Sequence, residues 1–230
     1  QRIESQGENQ ELRSDADAFI LSSIKARYSY NFSWMGRPII QYPQDMVAMQ
    51  EILWKLQPDL VIETGIAHGG SLVFYASILE LIGKGRVLGV DIDIRAHNRS
   101  AIEAHPMARR IDMIQGSSTD PEVVAEVTRR ANGLQTLVVL DSNHTHDHVL
   151  AELRAYAPLV SVGSYCAVFD TVVEHMPAGL YPDRPWDVGN NPKTAVDAYL
   201  AENTDFEVDA DREAQLLITV APGGYLRRVR

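Results

Sequence analysis

The sequence predicts a doubly wound α/β fold, an open and largely parallel sheet with helices on both faces. Three observations carry that expectation. Short apolar runs alternate with segments of helical periodicity along most of the 230 residues. Several of those runs end in an acid, at Glu63, Asp91, Asp141 and Asp170, and one more ends in Gly116-Ser117-Ser118. Ligands of open parallel sheets bind outside the carboxyl ends of the strands, so polar residues recurring at that edge mark a site. Finally, a glycine-rich turn follows the first run and opens a helix, a layout that sets a small ligand against backbone N–H groups.

The elements follow in order. Residues 1–14 are polar and charged and read as a tail, ordered by a partner chain if at all. A helix is expected over 15–27, with Phe19, Ile20, Ile24 and Ala26 on one side. The aromatic stretch 28–38 is broken at Gly36 and Pro38; it either covers a cleft or packs an N-terminal extension on the core. Residues 1–40 are thus set apart from one α/β domain over 41–230. A helix over 44–56 buries Met46, Met49, Ile52, Leu53 and Leu56 and stops at Pro58.

The first strand is 59–63 and its helix runs over 69–82, stopped by Gly83-Lys84-Gly85. The second strand, 86–91, ends in Asp91 beside Asp93; an acid there commonly hydrogen-bonds ribose hydroxyls. A helix over 98–104, a strand over 110–115 and the polar loop 116–120 follow. That loop lies where an adenine edge can be read. Asp120 caps a helix whose first residue is Pro121. Strand 137–140 ends in Asp141, a helix spans 146–156, and strand 164–169 ends in Asp170. The stretch 171–191 is irregular, and a loop of that length in a compact domain is usually functional, here a substrate lid. A helix from Pro192 to 201, a strand around Phe206 and Val208, and a strong last strand over 216–220 complete the chain.

The glycine loop reads Glu-x-Gly-x-x-x-Gly-Gly-Ser from Glu63 to Ser71. It lacks the Lys that a triphosphate loop requires. An acid just ahead of the turn suits a ligand with a positive charge or an amine, and S-adenosylmethionine (SAM) has both. The competing reading is a tight strand–helix turn without a ligand.

Composition narrows the classes. The net charge is −10 and the pI about 5.1, which disfavours nucleic acid as a partner despite Arg227, Arg228 and Arg230. The single cysteine, Cys166, excludes a disulfide framework and sits in an apolar segment as an inert thiol. No run reaches the length of a membrane span, and no secretory signal is apparent, so a cytoplasmic protein is expected.

The densest polar cluster is Asp141-Ser142-Asn143-His144-Thr145-His146-Asp147-His148. His144 is either a general base or an exposed loop histidine. The alternating histidines hold a transition metal only if the segment is extended. His68 either borders the cofactor or is solvated. Tyr28, Tyr30, Trp34, Tyr181 and Trp186 either stack on a substrate or pack the core.

With these residues in view, the chain resembles class I SAM-dependent methyltransferases. More narrowly, it resembles the family that groups cephalosporin hydroxylase-like proteins with rhamnosyl O-methyltransferases. The carriers are Val61-Ile62-Glu63-Thr64-Gly65 with Gly69-Gly70-Ser71, Gly89-Val90-Asp91-Ile92-Asp93, and Leu140-Asp141-Ser142-Asn143-His144. Val168-Phe169-Asp170-Thr171 and the ending from Pro222 to Val229 complete the set, which spans roughly 40–230. The resemblance implies a Rossmann-like seven-stranded sheet with an antiparallel last strand, and SAM as methyl donor. It also implies a Mg²⁺ ion at the strand ends, a small-molecule acceptor such as a sugar or glycosylated natural product, and a homo-oligomer. Carried over, the cofactor contacts are Glu63, Thr64, Gly65, His68, Gly69, Ser71, Asp91, Asp93, Ser117, Ser118 and Asp141. Asp141 and Asp170 are the metal ligands, and His144, with Asp141, is the catalytic pair. Relatives often carry Glu-Asp where this chain has Phe169-Asp170, leaving two carboxylates, with waters or a third ligand such as Glu174 or His144.

The implied reaction is methyl transfer to a hydroxyl, which needs an oriented acceptor and a base for its proton, a role that suits histidine. Two other readings stand beside it: an oxidative hydroxylase of the same family, and a non-catalytic SAM-fold partner protein.

Overall fold

The structure, a computed structural model, describes residues 1–230. Two helices open the chain, α1 (Arg2–Glu8) and α2 (Gln10–Lys25), followed by a hairpin of β1 (Phe32–Trp34) and β2 (Arg37–Ile39) and by α3 (Pro43–Leu56). The alternating part then runs β3 (Leu60–Thr64), α4 (Gly70–Ile82), β4 (Arg86–Asp91), α5 (Ala96–Glu103), β5 (Ile111–Gln115) and α6 (Pro121–Ala131). It continues with β6 (Thr136–Leu140), α7 (His146–Tyr156), β7 (Tyr165–Val168) and α8 (Pro192–Glu202), and ends with β8 (Phe206–Val208), α9 (Ala210–Leu216) and β9 (Tyr225–Arg228).

The sheet has seven strands in the order β5-β4-β3-β6-β7-β9-β8. From β5 to β7 they are parallel, and β9 runs antiparallel to both β7 and β8. The expected doubly wound, seven-stranded sheet with an antiparallel last strand is therefore present. Its strands are apolar on both faces because both faces are covered. Val61, Val87 and Leu137 pack into one buried cluster, and their neighbours Ile62, Leu88 and Val138 into the other. Chain connections leave β3 toward β4 on one side, while β6 lies on its other side. That reversal opens a crevice at the carboxyl ends of β3 and β6, the place where such sheets bind ligands.

Two expectations about elements are corrected. Residues 1–14 are helical, not a tail. Asn9 caps α2 by accepting from Leu12 N at 3.1 Å, and Gln6 Nε2 donates to the carbonyls of Ala214 and Gln215 at 3.0 and 2.9 Å. α1 buries no residue and is held by polar contacts to α9, so no hydrophobic period announces it. The stretch 216–220 is not a strand. α9 ends at Leu216, and Thr219 Oγ1 and Val220 N donate to the buried Asp45 carboxylate instead of to a ladder. Tyr225 OH donates to the same carboxylate at 2.8 Å, and the final strand forms at Tyr225–Arg228. The aromatic stretch, in turn, forms a hairpin whose turn residues Met35 and Gly36 have φ of 46° and 84°. Two positive values match the right-handed twist of the flanking strands.

That hairpin lies directly on the first turn of α4. A Cβ on Gly70 would stand 2.1 Å from the Pro38 carbonyl oxygen. Trp34 Nε1 donates to Ser77 Oγ at 2.9 Å, and Arg37 donates to the His68 carbonyl and to Asn98. The N-terminal segment is thus clamped beside the glycine loop. No helix is long and apolar enough to cross a membrane.

Candidate active site

A cavity of about 700 Å³ opens at the carboxyl ends of β3, β6 and β7, roofed by the end of α2 and by the stretch 180–186. Its floor begins with the glycine loop. Gly65 has a φ of 90°, and a Cβ there would stand 2.0 Å from the Asp141 carbonyl oxygen. Glycine alone lets the chain leaving β3 run against the end of β6. Gly65, His68 and Ser71 line the cavity. His68 enters through its loop, where its carbonyl is held by Arg37. Gly69 lies beneath the loop against Ile102, and Thr64 is fully buried with its hydroxyl unpartnered.

Glu63 is 1% exposed and accepts from Ser71 Oγ at 2.6 Å. Burial pushes its pKa up to about 8; the Ser71 and Tyr75 hydroxyls pull the other way, and the Asp91 charge adds to the rise. Asp91 shapes the loop: its Oδ2 accepts from Ile66 N at 2.7 Å and its Oδ1 from Asp93 N at 2.9 Å. Asp93 itself is exposed. Ser117 Oγ pairs with Thr119 Oγ1 at 3.1 Å. Ser118 is buried, with its Oγ 3.1 Å from His148 Nε2 and its carbonyl accepting from Tyr156 OH at 2.7 Å.

The reactive end of the cavity is the trio Asp141, His144 and Asp170, each offering one ligand atom within 4.8 Å of the others. Asp141 stands at the end of β6, His144 in the loop before α7, and Asp170 just past β7. Asp170 has a φ of 57°, which turns the chain sharply and brings its carboxylate 3.2 Å from His144 Nε2. Asp141 is half-buried at the cavity floor, where desolvation, the charge of Asp170 and then that of Glu63 hold its carboxyl well above the usual range. Gln41 Nε2 reaches its Oδ2 at 3.4 Å, and no lysine or arginine pairs with either aspartate. Two carboxylates facing each other without a cationic side chain are a donor set that a hard divalent cation fits, with waters completing its shell and the His144 imidazole left free beside it. Phe169 is no part of it. It is 1% exposed and packs edge-to-face on Tyr225 at 6.2 Å, in the core beneath. Glu174 is not a ligand either: its Oε2 accepts from Gly189 N at 2.8 Å and from Asn191 Nδ2, fastening the stretch after Thr171.

The histidine run divides because α7 begins at His146. His146 Nδ1 lies 2.8 Å from Thr194 Oγ1, and His148 Nε2 lies 3.3 Å from Ser142 Oγ and 3.4 Å from Glu152. A metal shared by the three histidines is thereby excluded. The aromatics divide too. Tyr28 packs with Phe19, Phe32 and Tyr42, and Trp34 packs on Phe74. Tyr30, Tyr181 and Trp186 line the cavity, and Trp186 meets the His144 ring edge-to-face at 4.7 Å. Gln41 was not singled out by sequence, because one amide ahead of a helix carries no pattern. Lys25, Arg27 and Arg184 also line the cavity, and their convergence is a tertiary fact.

Comparisons with known proteins bear on the family and the fold. The family described as "Rhamnosyl O-methyltransferase/CmcI" matches residues 26–229. A rhamnosyl O-methyltransferase of Mycobacterium tuberculosis is 37% identical over 203 residues, covering 85% of this chain and 78% of the relative. That of Mycobacterium leprae is 35% identical over 202 residues, with 85% and 82% covered. Among solved structures, CmcI with magnesium and SAM superposes with a TM-score of 0.62 at 19% identity, over 87% of this chain and 78% of that one. The mycinamycin-pathway methyltransferase MycE, in complex with magnesium, S-adenosylhomocysteine (SAH) and mycinamycin VI, gives 0.57 at 19% identity, over 92% and 55%. At such identities the likeness is one of fold.

Proposed function

We propose, for a chain that belongs to the rhamnosyl O-methyltransferase/CmcI family and is a SAM-dependent O-methyltransferase, that the acceptor is a sugar hydroxyl and the general base His144. The observation that carries this reading is the Asp141–His144–Asp170 trio at the strand ends, sharing one cavity with the glycine loop.

The methyl group passes from the sulfonium sulfur to the acceptor oxygen; the S–C bond breaks, an O–C bond forms, and SAH leaves. The acceptor's proton goes to His144, whose charged form Asp170 then stabilises from 3.2 Å. Glu63 meets the methionine ammonium, Gly65 and Ser71 line the methionine part, Asp91 holds the ribose, and Ser117 and Ser118 border the adenine. Asp141 and Asp170 are the residues that would hold Mg²⁺, which when bound lowers the pKa of a coordinated hydroxyl. Trp186, against the His144 ring, shields the reaction from water and offers an aromatic face to a sugar.

The oxidative alternative needs two histidines and a carboxylate around iron. The trio supplies one histidine.

The test incubates the full chain with SAM, Mg²⁺ and a panel of rhamnosides and other deoxysugar glycosides, scored by mass spectrometry for a gain of one methyl. The expected result is methylation that EDTA and His144→Ala both abolish. SAM binding with no turnover across the panel refutes the reading.

A further inference from the structure

Most basic side chains of this acidic protein are paired with carboxylates. Lys25, Arg27 and Arg184 are not, and all three line the active-site cavity. They come from two separate segments, the end of α2 and the 180–186 roof. Tyr181, on the same roof as Arg184, and Tyr30, just past α2, line the cavity with them. The cavity is therefore bipolar. Its floor carries Asp141 and Asp170, and its mouth carries three cations against one exposed acid, Asp183.

Two details set these residues apart from ordinary solvated charges. Arg27 has a φ of 53°, just past the end of α2, where glycine is the unstrained choice. A charged side chain is kept there at a cost in backbone strain, and such strain concentrates at ligand-binding positions. Arg184 lies over the Trp186 ring at 5.1 Å, and that ring meets His144 at 4.7 Å, so the guanidinium is within about 10 Å of the base. Stacking fixes the plane of a fork that suits two oxygens of one anionic group.

We propose that the acceptor is an anionic sugar derivative, whose phosphate or carboxylate is held at the cavity mouth by Lys25, Arg27 and Arg184 while its hydroxyl lies at the Asp141–His144–Asp170 trio. This rests on the O-methyltransferase reading and adds the substrate's charge to it. The shared chemistry is an anionic oxygen group one sugar's reach from the hydroxyl.

The experiment uses matched probes: methyl α-L-rhamnoside against rhamnose 1-phosphate, and methyl glucoside against methyl glucuronide. kcat/KM is measured for each with the full chain, SAM and Mg²⁺. The expected result is an advantage of about tenfold or more for the anionic member of at least one pair, shrinking as salt is raised. The better pair tells phosphate from carboxylate. Arg184→Gln and the double change Lys25→Gln/Arg27→Gln collapse that ratio through the acceptor KM, whereas Lys55→Gln, remote from the cavity, leaves it as it was. Equal use of neutral and anionic acceptors overturns the proposal, and so does a loss in the variants confined to the KM for SAM, which would assign these cations to the methionine carboxylate. If no probe is methylated, the reaction reading fails by itself. Calorimetric titration of the same pairs into the SAH-loaded protein then decides the charge: preference for the anionic member, lost in Arg184→Gln, supports it, and equal binding overturns it.

Discussion

Glu63 offers the sharpest quantitative prediction. Its carboxyl is 1% exposed, and burial raises its pKa to about 8, so at pH 7 roughly nine in ten molecules carry it neutral. If the methionine ammonium of SAM requires the ionised form, the ligand must strip that proton to bind. The apparent Kd is then raised roughly tenfold at pH 7 and roughly a hundredfold at pH 6, about 1.4 kcal/mol per unit below pH 8. Affinity therefore increases as pH rises from 6 to 8 and levels off above, and about 0.9 proton is released per SAM bound at pH 7. Calorimetry in buffers of differing ionisation enthalpy reads the proton count directly. Glu63→Gln binds more weakly at high pH and loses the slope. A flat affinity between pH 6 and 9 in the unaltered protein, or the same slope in Glu63→Gln, would refute the assignment. The same shift sets a stability slope. Between the unfolded value near 4.5 and about 8 the folded chain holds a proton that the unfolded chain lacks. Stability thus falls as pH rises across that window, and Glu63→Gln removes this contribution.

Gly70→Ala drives a Cβ to 2.1 Å from the Pro38 carbonyl oxygen, backbone against backbone, and should cost about 1–3 kcal/mol, read as a lowered Tm and faster proteolysis of the N-terminal hairpin. Phe169→Glu places a charge in the core against Tyr225 and should lower stability by about 3 kcal/mol or more. A gain in Mg²⁺ affinity without that loss would show that residue 169 can reach the cavity. Asp45→Asn leaves fewer acceptors for Thr219, Val220 and Tyr225 and should cost about 1–3 kcal/mol in chemical denaturation. Because burial raises Asp45 to about 6, its own contribution is lost as pH rises from about 4 to 6, and the variant lacks that slope.

The sheet was legible in the sequence because its strands are apolar on both faces and separated by glycine, proline and helical periods. Glu63, Asp91, Asp141 and Asp170 were legible for a related reason: a parallel sheet puts all its carboxyl ends on one edge, so chain order alone gathers them. The stretch 216–220 misled because an apolar β-branched run says only that side chains are buried. Where the Thr219 hydroxyl and the Val220 N–H find their acceptor depended on Asp45, more than a hundred residues earlier. α1 was illegible because its partners lie on α9, and no local period records them.

By itself, then, the sequence determined the doubly wound sheet, the glycine turn and the acids at the strand ends, since these follow from local periodicity and from the geometry of parallel strands. Tertiary structure alone decided what each polar side chain faces. It sent Phe169 into the core, split three neighbouring histidines among three partners, and brought Lys25, Arg27 and Arg184 to one cavity mouth. Side-chain direction depends on where a strand stops and a turn reverses, as at Asp170 with its φ of 57°, and on contacts between segments far apart in the chain.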